Sequence, residues 1–388
     1  MSRILWISDA GTSTGFGRVT EEIGSRLVAM GHEVHALAIG YKARDPYEGP
    51  LKLHRAESGS GGHGLGFDRV VELLESVDPD VVVTLEDIPM LTQRITRNPW
   101  DREMKLLRGV PIISYLPVDG YNPPPSWTEV LKLVHPVAMS RFGAEQLGVE
   151  MPVVYHGIDS DFFRPPTDEE KRFARGKFGL SQDAFIIGRV DTNSGRKDWG
   201  ATWAVVERLT EMGLEVSMLC HTKGRNPGHG ANLEELATKG KGTYILTGGE
   251  SVSNEDLRDL FWTMDLYLTT SRGEGFGLTV AEAEAVGLPV VATDCSAISE
   301  VVGGNGVGGL LCGPARAFMA NPYGLEHKLA DIDEMADAIR ELINQPDYRR
   351  QLGARGREHV VTTFSWDRAA ESFHELITGL TTGQSQEA

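Results

Sequence analysis

The chain has 388 residues, enough for two domains of ordinary size, and its 40% apolar and 24% charged composition supplies material for two globular cores. A formal charge of −17 disfavours broad adhesion to nucleic acid or to an anionic membrane surface, whose phosphates the average field would repel. Cys220, Cys295 and Cys312 are scattered without a Cys-x-x-Cys spacing, which points to reduced thiols and away from structural zinc.

The N-terminus runs directly into an apolar strand pattern at 4–8, and no apolar run approaches the ~20 residues of a membrane-spanning helix. A cytoplasmic protein without signal peptide or membrane span is expected. Gly11-Thr12-Ser13-Thr14-Gly15-Phe16-Gly17 follows that strand as a tight turn whose backbone could approach a diphosphate, ahead of a helix predicted over 19–30. The same spacing occurs in the nucleotide loop of short-chain dehydrogenases, so alone it is a weak signal. Those enzymes need a Tyr with Lys four positions later, and none of the nine tyrosines here has one: Tyr115 is followed by Asp119 and Tyr155 by Asp159.

Strand patterns follow at 33–39, 81–85, 110–115 and 134–139. Five glycines within 58–66 mark a loop, and no strand leads into it as a phosphate site would require. Leu116-Pro117-Val118-Asp119-Gly120 ends the third of these strands; Asp119 is either a carboxylate able to orient or deprotonate a hydroxyl or a turn-forming Asp before Gly. Pro165-Pro166 and the charged run 168–175 interrupt the pattern, so domains are expected at 1–160 and 181–365 with 161–180 as linker. A second βα series then begins at 185–188 and continues through 215–220, 243–247, 266–269 and 290–293. The alternation predicts an α/β protein with two parallel sheets facing across a cleft.

In the second half, Ser271-Arg272-Gly273-Glu274-Gly275-Phe276-Gly277 puts three glycines in seven residues after a strand, and 278–286 reads as a short helix closed by Gly287 and Pro289. Backbone N–H groups near Gly277, Leu278 and Thr279 would then form an anion site. Glu274 before the turn and Glu282 in the helix are acceptors when ionised, suited to sugar or ribose hydroxyls. Taken singly, each is equally well a solvated loop residue or a complement to the helix dipole. Arg189, Arg196 and Lys197 cluster after the first strand of this half and could hold phosphates or be surface charges of a turn. Asp78-Pro79-Asp80 and Asp331-Ile332-Asp333 look like acid pairs at a strand start and a helix start; no metal is assigned to them.

The run from Glu274 through Gly275-Phe276-Gly277-Leu278-Thr279 to Glu282, with Gly287-Leu288-Pro289-Val290-Val291-Ala292-Thr293, resembles the retaining glycosyltransferases of family four. Tyr155-His156-Gly157-Ile158-Asp159 looks like that family's interdomain segment, although His stands where Asn is usual. Phe364-Ser365-Trp366 looks like its C-terminal segment, and Gly31-His32-Glu33-Val34 like the end of its first helix. The resemblance implies two Rossmann-like domains in the GT-B arrangement, with a last helix 366–380 packing back on the first domain and a disordered tail from Thr381. It implies transfer of a hexose, with retention and without metal or cofactor, from a nucleotide-diphosphate sugar to an acceptor hydroxyl. Glu282 would hold the ribose, Glu274 the sugar hydroxyls, Lys197 with Arg189 or Arg196 the diphosphate, and Gly15, Phe16 and Gly17 would close over the phosphates. The histidine common after the third strand is replaced here by the Asp119 region, which leaves the acceptor class open. Another GT-B enzyme, an epimerase or a phosphorylase, and a non-catalytic nucleotide-sugar binder are the competing readings.

Overall fold

The computed structural model describes residues 1–42, 47–56, 65–66, 69–96, 109–248, 252–319 and 324–383. The glycine-rich stretch 58–64 and residues 384–388 of the tail lie outside the described residues. The chain forms two compact units, the first built from Met1–Val118, Pro123–Gly157 and Ser365–Ala388, the second from Asp119–Asn122 and Ile158–Phe364.

In the first unit the elements run β1 (Arg3–Asp9), α1 (Gly15–Ala29), β2 (Glu33–Ile39), β3 (Lys52–Arg55), α2 (Val70–Val77), β4 (Val81–Leu85), α3 (Ile88–Thr96), β5 (Ile112–Leu116), α4 (Pro125–Leu131), β6 (His135–Ala138) and α5 (Arg141–Leu147). All strands are parallel, in the order β3-β2-β1-β4-β5-β6. β4 and β5 are buried along their whole length, which explains why they lack an alternation; their polar members Thr84 and Ser114 bond each other at 2.9 Å. The acid pair before β4 anchors β1: Arg3 donates its backbone N–H to Asp80 at 2.6 Å and pairs with Asp78 at 2.7 Å.

Helix α1 starts four residues before the predicted 19, at Gly15. Thr14 caps it, its hydroxyl accepting from Gly17 N at 3.0 Å, so Gly15, Phe16 and Gly17 form a first helical turn and not a loop. The C-terminal helix Trp366–Gly383 packs in this unit, with Phe373 at 5.6 Å from the Trp6 ring and 5.1 Å from that of Tyr115, and Arg26 paired to Asp367 at 2.6 Å. It continues through Gly383, past the Thr381 where a disordered tail was expected.

The stretch 161–180, expected as a linker, is a folded part of the second unit. Thr167 and Glu170 form a reciprocal capping box that starts α6 (Asp168–Lys177), and buried Arg175 reaches Asp265 at 2.8 Å and the carbonyl of Thr263 at 3.0 Å. Next come β7 (Phe185–Val190), a single 3-10 turn Gly195–Lys197, α7 (Trp199–Glu211), β8 (Val216–His221), α8 (Leu233–Lys239), β9 (Thr243–Leu246), α9 (Asn254–Thr263), β10 (Leu266–Thr269), α10 (Leu278–Ala285), β11 (Val290–Thr293), α11 (Ile298–Val301) and β12 (Gly309–Cys312). An antiparallel hairpin, β13 (Pro314–Met319) and β14 (Glu326–Ala330), precedes α12 (Ile332–Asn344) and α13 (Pro346–Thr363).

The second sheet is parallel in the order β12-β11-β10-β7-β8-β9, so both units have the Rossmann-like strand order. Its core gathers Trp199, Trp203, Leu209, Met218, Leu266, Leu268, Val291 and Ile339. In this order β7 and β10 are neighbours although they open successive halves of the sheet, so the chain leaves their carboxyl ends in opposite directions. That switch point is where a doubly wound sheet leaves a crevice for a ligand.

Candidate functional site

The two loops that leave the switch point carry the residues singled out in the sequence. After β7 the chain turns through Asp191 to Lys197, and after β10 through Thr270 to Gly277. Gly277 caps α10 with φ +108°, and a β-carbon there would also lie 3.1 Å from Ile298 Cδ1, so the tight entry into the helix depends on glycine. No side chain caps this helix start. Val280 and Ala281 already bond the Gly277 carbonyl, which points the N–H groups of Leu278 and Thr279 out of the helix end as anion donors. Gly275 and Phe276 complete the turn, and the buried Phe276 ring meets Phe364 edge-on at 5.1 Å.

Glu274 is buried and bound by two cations: Lys197 Nζ lies 2.6 Å from Oε1 and Arg196 Nη1 2.8 Å from Oε2. Burial opposes its ionisation, but Arg196 and Lys197 outweigh it and hold the carboxyl well below the usual carboxylate range. Lys197 also meets Asp191 at 2.7 Å. Arg196 also meets Asp119 at 3.0 Å and donates to the Gly273 carbonyl. Burial works against the charge of Arg196 too, and Glu274 and Asp119 raise its pKa above the ordinary guanidinium value regardless. Asp119 is likewise held below its usual value, with Arg196 and His327 overcoming the cost of burial.

Arg189 does something else. β7 extends to Val190, two residues beyond the predicted strand, and turns Arg189 into the core with 0% exposure. Its Nη1 bonds Thr202 and Thr270 at 2.7 Å each; its Nη2 bonds the Lys197 carbonyl at 2.6 Å, Asp191 at 3.0 Å and Ser271 at 3.1 Å. The guanidinium lies 4.6 Å from the Trp199 ring centroid. Arg189 therefore braces the loop behind Lys197, and the arginine that faces Glu274 is Arg196, with a side chain 31% exposed. Glu282 is buried in the second turn of α10. Gly15, Phe16 and Gly17 belong to the first unit, and the site described here consists of second-unit residues alone.

Two contributors, Tyr121 and His327, are not signalled by the sequence. Asp119–Asn122 crosses into the second unit, where Tyr121 pairs with Glu326 of β14 through two backbone hydrogen bonds of 2.9 Å. Gly273 has no space for a side chain because the carbonyl of Asp119 lies against it. The hairpin then brings His327, 3% exposed, to 3.8 Å from Asp119. Nothing local in His327 announces this, since the contact depends on strands far apart in sequence. Among the described residues, no group of three or more His, Cys, Asp or Glu is arranged to hold a metal ion, and no helix is long and apolar enough to cross a membrane.

Comparison with known proteins shows what this arrangement is similar to. Residues 182–345 match the model of "Glycosyl transferases group 1". The chain is 34% identical over 259 residues to the lipopolysaccharide core biosynthesis mannosyltransferase LpsB of Rhizobium meliloti, covering 63% of this chain and 65% of that protein. It is 26% identical over 247 residues to the D-inositol 3-phosphate glycosyltransferase of Paenarthrobacter aurescens, covering 62% of this chain and 55% of that one. The matches thus span less than two thirds of either relative. Among solved structures, Anabaena HepE in complex with UDP-glucose superposes with a TM-score of 0.74 at 16% identity, over 98% of this chain and 100% of that chain. Over residues 182–345 the chain is thus similar to the group 1 glycosyl transferases, and its two Rossmann-like units give it the GT-B fold.

Proposed function

We propose that this protein is a retaining hexosyltransferase that moves a sugar from a nucleotide-diphosphate donor to an acceptor hydroxyl. The observation that carries the reading is the meeting of Arg196 and Lys197 with Glu274 at the switch point of the second sheet, beside the uncapped start of α10. The two cations and the N–H groups of Leu278 and Thr279 suit a diphosphate, whose negative charge grows as the glycosidic bond breaks. Glu274, released from those cations, has oxygens for the sugar hydroxyls, and Glu282 is assigned to the ribose. Asp119 pairs with one of these cations, Arg196, and is the carboxylate available to orient the acceptor. The names of the relatives, a mannosyltransferase and an inositol phosphate glycosyltransferase, support a hexose and a hydroxyl acceptor.

The chain's own residues then bind, orient and stabilise the leaving group, and none is assigned as a covalent nucleophile. The test is a panel of nucleotide sugars, scored by thermal shift and by release of nucleotide, with the wild type and Glu274→Gln. At least one donor should raise the melting temperature and be consumed, with turnover in the variant down by about a hundredfold or more. A panel in which no donor binds or is consumed would overturn the reading, and an inverted product anomer would overturn retention alone.

A further inference from the structure

Resting on that donor reading, we propose that His327 is a positioning residue of the donor site, taking over Asp119 when a diphosphate draws Arg196 away.

Within the protein the cations are already paired. Arg189, Arg196 and Lys197 face Asp119, Asp191 and Glu274, cation for carboxylate. A diphosphate can use Arg196 and Lys197 only if those carboxylates give them up, and each carboxylate left behind in a poorly solvated place is costly unless it finds another partner. Asp191 keeps Arg189 at 3.0 Å and the N–H of Thr192 at 3.2 Å. Glu274 gains the donor's hydroxyls. Among the described residues, the other ion-pairing group beside Asp119 is His327, whose Nε2 stands 3.8 Å from Oδ1.

That distance is longer than a hydrogen bond, and Nε2 is buried with no hydrogen-bond partner. The imidazole is thus aimed at Asp119 while Arg196 still occupies it. The ring is also fixed in place. A β-carbon at Gly120 would lie 3.1 Å from its Cδ2 and one at Gly273 3.5 Å, so the ring fills the space above two glycines. Tyr121 pairs with Glu326 on one side, and on the other the Lys328 N–H bonds the Arg272 carbonyl at 3.0 Å.

Among the described residues, the charged and titratable groups that the neighbouring elements bring near His327 are Asp119 and Tyr121 from the crossing segment, Arg196 through its pair with Asp119, Arg272 from the loop after β10, and Glu326 and Lys328 beside it on β14. Lys328 is directed over the Tyr121 ring at 4.2 Å, and Arg272 is paired to Asp198 at 2.8 Å. Neither offers Asp119 a substitute. Once a dianionic diphosphate has entered and Arg196 has turned to it, the exchange favours a protonated imidazole against Asp119, so donor binding takes up a proton.

The test is isothermal titration calorimetry of the full chain with UDP-glucose and with GDP-mannose, from pH 6 to pH 8, in buffers of different ionisation heat. The diphosphate diesters of these probes do not titrate in that range. Wild type should show net proton uptake and an affinity several-fold weaker at pH 8 than at pH 6. His327→Asn, which keeps an N–H donor without a titrating ring, should lose the uptake and the pH dependence and bind several-fold more weakly than wild type at pH 6. Asp119→Asn should abolish the uptake as well and decides the matter if His327→Asn fails to fold. Binding without proton exchange in wild type, or uptake that survives in His327→Asn or Asp119→Asn, overturns the proposal while leaving the donor reading intact. If neither probe binds the wild type, both are overturned.

Discussion

The Tyr121 hydroxyl accepts a hydrogen bond of 2.8 Å from the backbone N–H of Ser296. Ser296 sits at φ +48°, a left-handed conformation that costs a non-glycine residue free energy, and its own hydroxyl accepts from Glu274 N at 2.6 Å. A strained serine thus fixes the backbone of the central carboxylate, and a tyrosine fixes the serine.

Tyr121→Phe removes the acceptor and keeps the ring. It should destabilise the protein by about 1 kcal/mol and weaken donor binding several-fold, because Glu274 loses part of its support. Thermal melts and a nucleotide-sugar titration measure the two effects, and an unchanged affinity would remove Ser296 from the account of the site.

Arg189 and Arg196 should separate cleanly. Arg189→Met strips several buried hydrogen bonds and leaves Asp191 without its arginine, so the melting temperature should fall sharply, by the equivalent of about 3–5 kcal/mol. Arg196→Met removes a partly exposed cation and should leave the melting temperature within a few degrees while weakening donor binding about tenfold or more. Melting curves and donor titrations on both variants check this; the opposite assignment would exchange the two outcomes.

Glu284 is fully buried in α10, and neither of its carboxylate oxygens has a hydrogen-bond partner. Burial raises its pKa well above the ordinary value of 4.5. With the folded value raised, stability is full below the unfolded pKa and declines as pH rises towards the folded one. Glu284→Met should therefore stabilise the protein at pH 7 by about 1–3 kcal/mol, and the gain should shrink near pH 4.5. Urea denaturation at the two pH values provides the comparison.

His32 gives a shift of opposite sense. Its Nδ1 accepts from Ser2 N at 3.2 Å, which puts the proton on Nε2, 2.8 Å from His374 Nδ1 on the C-terminal helix. Burial, and then His374, lower the His32 pKa below its usual 6.5. The stability from the neutral His32 is complete above the unfolded value and is lost as pH falls through the folded one. Melting temperature should drop below about pH 6.5, and less steeply in His32→Gln. Parallel pH series on the two proteins would show it.

What could be read in the sequence was local. The strand, glycine turn and helix around Glu274 are consecutive, so composition alone outlines them, and β11 at Val290–Thr293 matches its predicted bounds. Arg189 was ambiguous because one further strand residue decides whether it faces the core or the turn. The 161–180 stretch read as linker because its charges hide a capping box that becomes recognisable only with Thr167 as its start. Thr14 moved the first helix forward in the same way, through one hydroxyl. His327 and Tyr121 could not be placed at all, since their roles arise from an added hairpin pairing with a segment some two hundred residues earlier.

The excursion of Asp119–Asn122 into the second unit bears on how such proteins can be cut and recombined. The chain changes units at Val118, Asn122, Gly157 and Phe364. A fragment starting at Ile158 would carry Arg196, Lys197 and Glu274 but lack Asp119 and the tyrosine that holds Ser296. One ending at Gly157 would lack Phe373 from its core. The span 182–345 that resembles the group 1 glycosyl transferases omits both segments. A second-unit module transplanted by that boundary would arrive without its tetrapeptide, so a chimera that keeps these contacts has to carry 119–122 along with it.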